Sequence, residues 1–247
     1  MTEELRKKYA QDIAMSSLSI GAIKLSPKKP IIWASGYPMP IYNDNRMFLG
    51  HPMFWKEVLN ILKINIEIIE NIEISKRFDV IAGTSTAGIP HAAMIANPLS
   101  PLAYKMIYVR NEPKGHGLEN QIEGIDVEKG LEGQRVVLIE DLISTGKSSV
   151  KAVQAIRDAN GICDHCISIF NYGFDKPKKM FAGEESFGDK DNPRFLDKPC
   201  KVISLLTYDI LIETAKKNSY IDDADLKMLE SWNSDPFNWA EKNGFKK

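Results

Sequence analysis

The chain has 247 residues, long enough to bury a full α/β core as one large domain or two small ones. A hydrophobic content of 43% and a charged content of 26% are ordinary for a globular protein, and a formal net charge of −1 excludes a general attraction for nucleic acid or anionic membrane. No apolar stretch approaches the ~18 residues of a membrane span, the charged start MTEELRKKYAQDIAM is no signal peptide, and three cysteines, an odd count, point to a reducing cytoplasm.

Residues 2–21 are predicted to form a helix with Tyr9, Ile13 and Leu18 among its apolar positions, ending near Gly21. Trp33, Tyr37 and Tyr42 around Ser35-Gly36 read as a hairpin-like aromatic cap, so 1–50 form a helix and cap ahead of a core over 51–206. Within 52–70 the apolar residues Trp55, Leu59, Leu62, Ile66 and Ile69 alternate spacings of four and three, which is one helix face. Asp79–Ala82 reads as a short strand. Gly83–Pro90 follows as a small-residue loop before another helix, with Thr84, Ser85, Thr86, Ala87 and Gly88 offering backbone donors. Ile89 and Pro90 stand where a Walker loop would need lysine and a hydroxyl.

Leu102–Val109 reads as the next strand, and 110–124 as a glycine-containing flap that brings Arg110, Lys114 and His116 together. Such a cluster suits a lid over polyphosphate. The most informative stretch is Gln134–Val150. Val136–Ile139 is an unbroken apolar run, as in a strand buried on both faces. Glu140 and Asp141 end that run, and Leu142, Ile143, Ser144, Thr145, Gly146, Lys147 and Ser148 lead into a helix marked by Val150, Val153 and Ile156. Gly146-Lys147-Ser148 spells the end of a Walker motif, but Asp141 occupies the position of its first glycine, where a carboxylate would repel phosphate. Two carboxylates beside a phosphate cradle suit a ligand with both hydroxyls and phosphate, that is, a sugar phosphate. Two such loops suit a ligand with two separate phosphate groups.

Cys163-Asp-His-Cys166 has no second pair at zinc spacing and enters the apolar run Ile167–Phe170, so its cysteines read as small buried residues of a strand start. Residues 174–200, rich in Lys, Asp, Gly and Pro, read as a surface excursion. Val202–Leu206 is a last strand, 208–217 and 223–233 look helical, and Trp232, Phe237 and Trp239 form an aromatic tail that docks on the body or a partner. Strands alternating with helices predict an α/β fold with a mainly parallel sheet and ligand loops at the strands' C-terminal ends.

Laid out in this way, the chain resembles the orotate phosphoribosyltransferases, of the type I phosphoribosyltransferase fold with a small N-terminal hood. The resemblance rests on Trp33–Gly36, Pro40–Tyr42, Asp44–Arg46, Ile81–Ile89, Tyr108–Arg110, Lys114–Gly117, Asn120–Gly124, Glu140–Gly146 and Ser168–Phe170. The Lys-x-His-Gly flap sets this family apart from other phosphoribosyltransferases, and only 177–200 looks like an insertion. The resemblance implies transfer of the phosphoribosyl group from phosphoribosyl pyrophosphate to orotate with Mg²⁺, by a homodimer whose flap reaches the neighbouring subunit's site. It implies that residues 144–148 cradle the 5′-phosphate, Glu140 and Asp141 face the ribose hydroxyls, and the 83–88 loop holds pyrophosphate. Arg110, Lys114 and His116 would close over the leaving group, Ser144 would also meet orotate, and Mg²⁺ would be held mostly by ligand oxygens and water. Some members carry a lysine after the flap arginine, an arginine against orotate and a lysine in the pyrophosphate loop. Here those places hold Asn111, Tyr172 and Ala87. A purine phosphoribosyltransferase and a non-catalytic regulator that senses the ligand are the rival readings. A regulator would lose Lys114 and His116 and gain a DNA-binding extension, for which residues 1–20 are too short.

Overall fold

The computed structural model describes residues 1–33, 36–72, 77–97, 99, 103–112 and 121–245. The chain divides into two compact units, one formed by Met1–Lys56 with Leu206–Lys247 and the other by Glu57–Leu205. Among the described residues no helix is long and apolar enough to cross a membrane.

The first unit opens with α1 (Glu3–Ser19). The Thr2 hydroxyl accepts a hydrogen bond from the Leu5 N–H and caps it, and Ala10, Ile13 and Ala14 lie on its buried side. Four short strands follow: β1 (Ile23–Leu25), β2 (Ile31–Ile32), β3 (Pro38–Met39) and β4 (Ile41–Asn43). They pair antiparallel as β1 with β4 and β2 with β3, which gives the cap its hairpin. A 3-10 turn over Asn45–Gly50 leads into α2 (Pro52–Ile72), which carries the chain into the second unit.

The second unit holds β5 (Val80–Thr84), α3 (Gly88–Ala96), β6 (Lys105–Val109), β7 (Ile122–Glu123), β8 (Arg135–Ile143), α4 (Lys147–Asp158), β9 (Ile162–Asn171), α5 (Asp175–Ala182) and the start of β10 (Lys201–Thr207). They form a six-stranded sheet in the order β10-β9-β8-β5-β6-β7. β6, β5, β8 and β9 run parallel, and β7 returns antiparallel on β6. Val80, Ala82, Val136 and Leu138 pack into one core with Val150, Val153 and Ile156 of α4, so the apolar runs and the helix spacing serve the burial expected of them.

Three expectations need correction. Glu140 and Asp141 do not end their strand: β8 continues to Ile143, because its partner keeps register through Leu142↔Phe170 and Ile143↔Asn171. The excursion after residue 173 is not merely surface, since it contains α5 and buries Phe181, Phe187, Leu196 and Cys200 in the core. The 110–124 flap ends in the sheet: Ile122 is buried and pairs with Val109, so its return is structural. Cys163, Cys166 and Cys200 are free and buried.

The chain returns to the first unit through α6 (Tyr208–Lys217), α7 (Asp223–Ser234) and α8 (Trp239–Lys242). Asp222 and Asp225 form a capping box at the start of α7, and Lys28 bonds Asp222 at 2.7 Å. Trp232 is fully buried and donates its indole N–H to Met39 Sδ at 3.0 Å, with Trp33 edge-on at 6.2 Å. Trp239 is buried as well, whereas Phe237 stays 52% exposed against Tyr37, so the aromatic tail docks within its own unit by its two tryptophans.

Candidate active site

β5 and β8 are adjacent and parallel, so the loops that follow them leave the same edge of the sheet. Ser85–Ala87 joins β5 to α3, and Ser144–Gly146 joins β8 to α4. Among the described residues neither helix has a side-chain cap at its N-terminus. Their first backbone N–H groups therefore carry partial positive charge at two neighbouring places, which is the arrangement that binds phosphate.

A buried node beside the two loops ties the end of β5 to the first turn of α4. Glu140 is only 5% exposed, and its Oε1 accepts from the Thr84 hydroxyl at 2.6 Å while its Oε2 accepts from the Ser149 hydroxyl at 2.7 Å. The Asp141 N–H donates to Oε1 at 3.1 Å. Burial, and then the negative charge of Asp141, push the Glu140 carboxyl up to about 8, against the two hydroxyls that favour ionisation. The same node demands glycine. A Cβ on Gly88 would lie 2.5 Å from the Ile139 carbonyl and 2.6 Å from Thr84 Oγ1, and one on Gly83 would lie 2.8 Å from the Gly88 carbonyl.

Both Glu140 oxygens accept from hydroxyls, of Thr84 and Ser149, while Asp141 beside it in β8 is half-buried. Thr84 likewise ends β5 and is buried, leaving Ser85, Thr86 and Ala87 as the loop proper and Gly88 as the first helical residue. Ile143 belongs to the core, whereas Ser144 is half-buried and Thr145, Lys147 and Ser148 are exposed. Gly146 is left-handed at φ +74°, and a Cβ there would lie 2.8 Å from Pro177 Cβ, so α5 closes directly behind the loop. Ser149 was missed. Its signal in the sequence is faint: a second serine after the loop, nine residues from Glu140.

Arg110 follows β6 and lies 3.7 Å from the Glu123 carboxylate, while its N–H bonds the Gln121 carbonyl. Lys114 and His116 lie outside the described residues. Tyr172 is buried beyond the end of β9, between Phe170 edge-on at 5.0 Å and Phe174 stacked at 5.5 Å.

A parallel sheet with two uncapped helix N-termini and an acid–hydroxyl node between them defines a sugar-phosphate site of the phosphoribosyltransferase class. The family model described as phosphoribosyl transferase domain matches residues 55–192. An orotate phosphoribosyltransferase of Listeria innocua is 41% identical over 94% of this chain and 98% of its own length. One of Enterococcus faecalis is 38% identical over 95% of this chain and 99% of its own. The crystal structure of orotate phosphoribosyltransferase from Aeropyrum pernix, 23% identical, superposes with a TM-score of 0.61 over 85% of this chain and 99% of that one, which shows the shared fold. The chain belongs to the orotate phosphoribosyltransferase family.

Proposed function

We propose that this protein transfers the 5-phosphoribosyl group from phosphoribosyl pyrophosphate to orotate, releasing pyrophosphate and orotidine 5′-monophosphate, a step of pyrimidine nucleotide synthesis. The phosphoribosyl part rests above all on one observation, the buried tie at Glu140 between the end of β5 and the start of α4, on adjacent parallel strands. The choice of orotate rests on the relatives from Listeria innocua and Enterococcus faecalis.

In this reading the backbone of 144–148 holds the 5′-phosphate at the start of α4, and Asp141 accepts from the ribose hydroxyls. The Ser85–Gly88 segment holds pyrophosphate at the start of α3. Arg110, Lys114 and His116 stabilise the charge that develops on the leaving group as the glycosidic bond breaks. Glu140 braces the two loops from beneath. The site's donors fit Mg²⁺, which keeps several waters and takes one or two carboxylates together with substrate oxygens. In this reading Asp141 would be the carboxylate that holds it, whereas Glu140 is engaged by hydroxyls on both oxygens. Bound Mg²⁺ would offset the charge of the pyrophosphate.

The enzyme acts in this reading as a cytoplasmic homodimer with shared sites. Unpaired, buried Cys163, Cys166 and Cys200 agree with a reducing compartment. Orotate, phosphoribosyl pyrophosphate and Mg²⁺ mixed with the protein should give a fall in orotate absorbance that adenine or hypoxanthine does not replace; no fall, or a preference for a purine, would refute the reaction. For the shared site, re-assorting equal amounts of Lys114→Ala and Asp141→Asn chains should restore roughly a quarter of wild-type activity, since about half of the dimers carry one intact site. No recovery after subunit exchange is shown by native mass spectrometry would place the flap in its own subunit.

A further inference from the structure

Residues 183–200 form a strap along α4, the helix whose N-terminus makes the 5′-phosphate cradle in the reading above. At the far end of α4, Arg157 bonds Asp197 at 2.9 Å and the Lys198 carbonyl at 2.6 Å, and Arg194 reaches Asp158 at 3.3 Å. At the near end, Lys147, the first residue of α4, pairs with Asp189 at 2.8 Å.

Asp189 is presented by a braced turn. Ser186 Oγ accepts from the N–H groups of Gly188 and Arg194, and the Phe187 N–H bonds the Arg194 carbonyl at 2.9 Å. Phe187 is buried with the Arg194 guanidinium 5.5 Å above its ring, and a Cβ on Gly188 would lie 2.6 Å from the Arg194 N. Lys147 above all, with Lys151 behind it, holds the Asp189 carboxyl below the ordinary range. An acidic group thus sits at the positive end of α4, where helix dipole and lysine together attract an anion. Helical side chains lean towards the N-terminus of their helix, so the Lys147 ammonium extends over the side on which Ser144–Gly146 lies.

We propose that Asp189 is a built-in counter-anion for Lys147, competing with the phosphate of the incoming sugar phosphate at the start of α4. This rests on the phosphoribosyl reading of that loop. A phosphate dianion attracts the ammonium more than a carboxylate does, so Lys147 exchanges Asp189 for the ligand. The pair is exposed, with side-chain exposures of 45% for Lys147 and 85% for Asp189, so it gives way at little cost and tunes affinity without blocking entry.

The test uses the full chain as wild type, Asp189→Asn, Lys147→Ala and the double variant, with ribose 5-phosphate as the probe in titration calorimetry. Asp189→Asn should bind ribose 5-phosphate about two- to fivefold tighter, with KM for phosphoribosyl pyrophosphate falling in step and kcat and melting temperature unchanged. In the Lys147→Ala background the same substitution should change nothing. Unchanged or weaker binding by Asp189→Asn would overturn the proposal, and so would an equal gain without Lys147, which would make the effect a diffuse field. Orotate turnover by the wild type separates the two readings: turnover with no shift in Asp189→Asn sinks this inference alone. A wild type that neither binds the probe nor turns over sinks both.

Discussion

Glu140→Gln tests the buried node through its charge. In the unfolded chain this carboxyl ionises near its ordinary 4.5, whereas in the folded chain it holds its proton up to about 8. Between those values the folded state binds more protons than the unfolded state, so stability falls as pH rises, from the unfolded value through the folded one. At about 1.4 kcal/mol per pH interval, the penalty grows by about 4 kcal/mol between about pH 5 and about pH 8.5. The network accepts the protonated form: the Glu140 O–H can donate to Thr84 Oγ1 while the Thr84 hydroxyl turns to the Ile139 carbonyl, 3.4 Å away. Glutamine keeps the shape and cannot ionise, and its amide can donate to Ser149 while its oxygen accepts from Thr84. Urea unfolding of both proteins across this range should show the glutamine variant within about 1 kcal/mol of wild type at the acid end. It should gain about 4 kcal/mol relative to wild type at the alkaline end. Parallel curves would mean that Glu140 is ionised in the folded protein at neutral pH, and the account of the node would be wrong.

Gly88→Ala should cost about 2–3 kcal/mol in a thermal melt and abolish pyrophosphate binding, because its Cβ meets a backbone carbonyl that cannot move aside. Asp141→Asn should lower kcat/KM about a hundredfold, with a melting temperature within about 2 °C of wild type. A lower melting temperature with normal activity per folded molecule would make that carboxylate structural. Trp232→Ala should destabilise the protein by about 3–5 kcal/mol in denaturant unfolding, since a fully buried indole is lost from between Met39, Trp33 and Tyr208, while Trp232→Phe should recover most of it.

Several elements of the second unit, among them β5, β8 and α4, were legible in the chain because each is specified locally, whereas α5 and β7 were not. Val136–Ile139 reads as a doubly buried strand, the spacing of Val150, Val153 and Ile156 as the inner side of α4, and the small residues before each helix as its entry loop. Asp141, Ser144 and Gly146 stand out as candidates for the proposed site because strand, acid and glycine succeed one another within a dozen residues. The part played by Glu140 does not stand out. Whether a carboxylate within a strand faces outward or inward depends on what the neighbouring elements offer it, and here Thr84, 56 residues away, and Ser149 both point hydroxyls at it. The sheet order that makes Thr84 a neighbour exists only once β5 and β8 pair. Residues 183–200 mislead for a similar reason. Their buried positions, Phe187 and Leu196, follow neither helical nor strand periodicity, because an irregular strap meets the core wherever its turns allow. Local patterning by itself therefore determined the central strands, most helices and the small-residue loops after β5 and β8; the hydroxyls that meet Glu140 and the burial of the strap were decided by long-range pairing, since hydrogen bonds between distant segments leave no period in the chain.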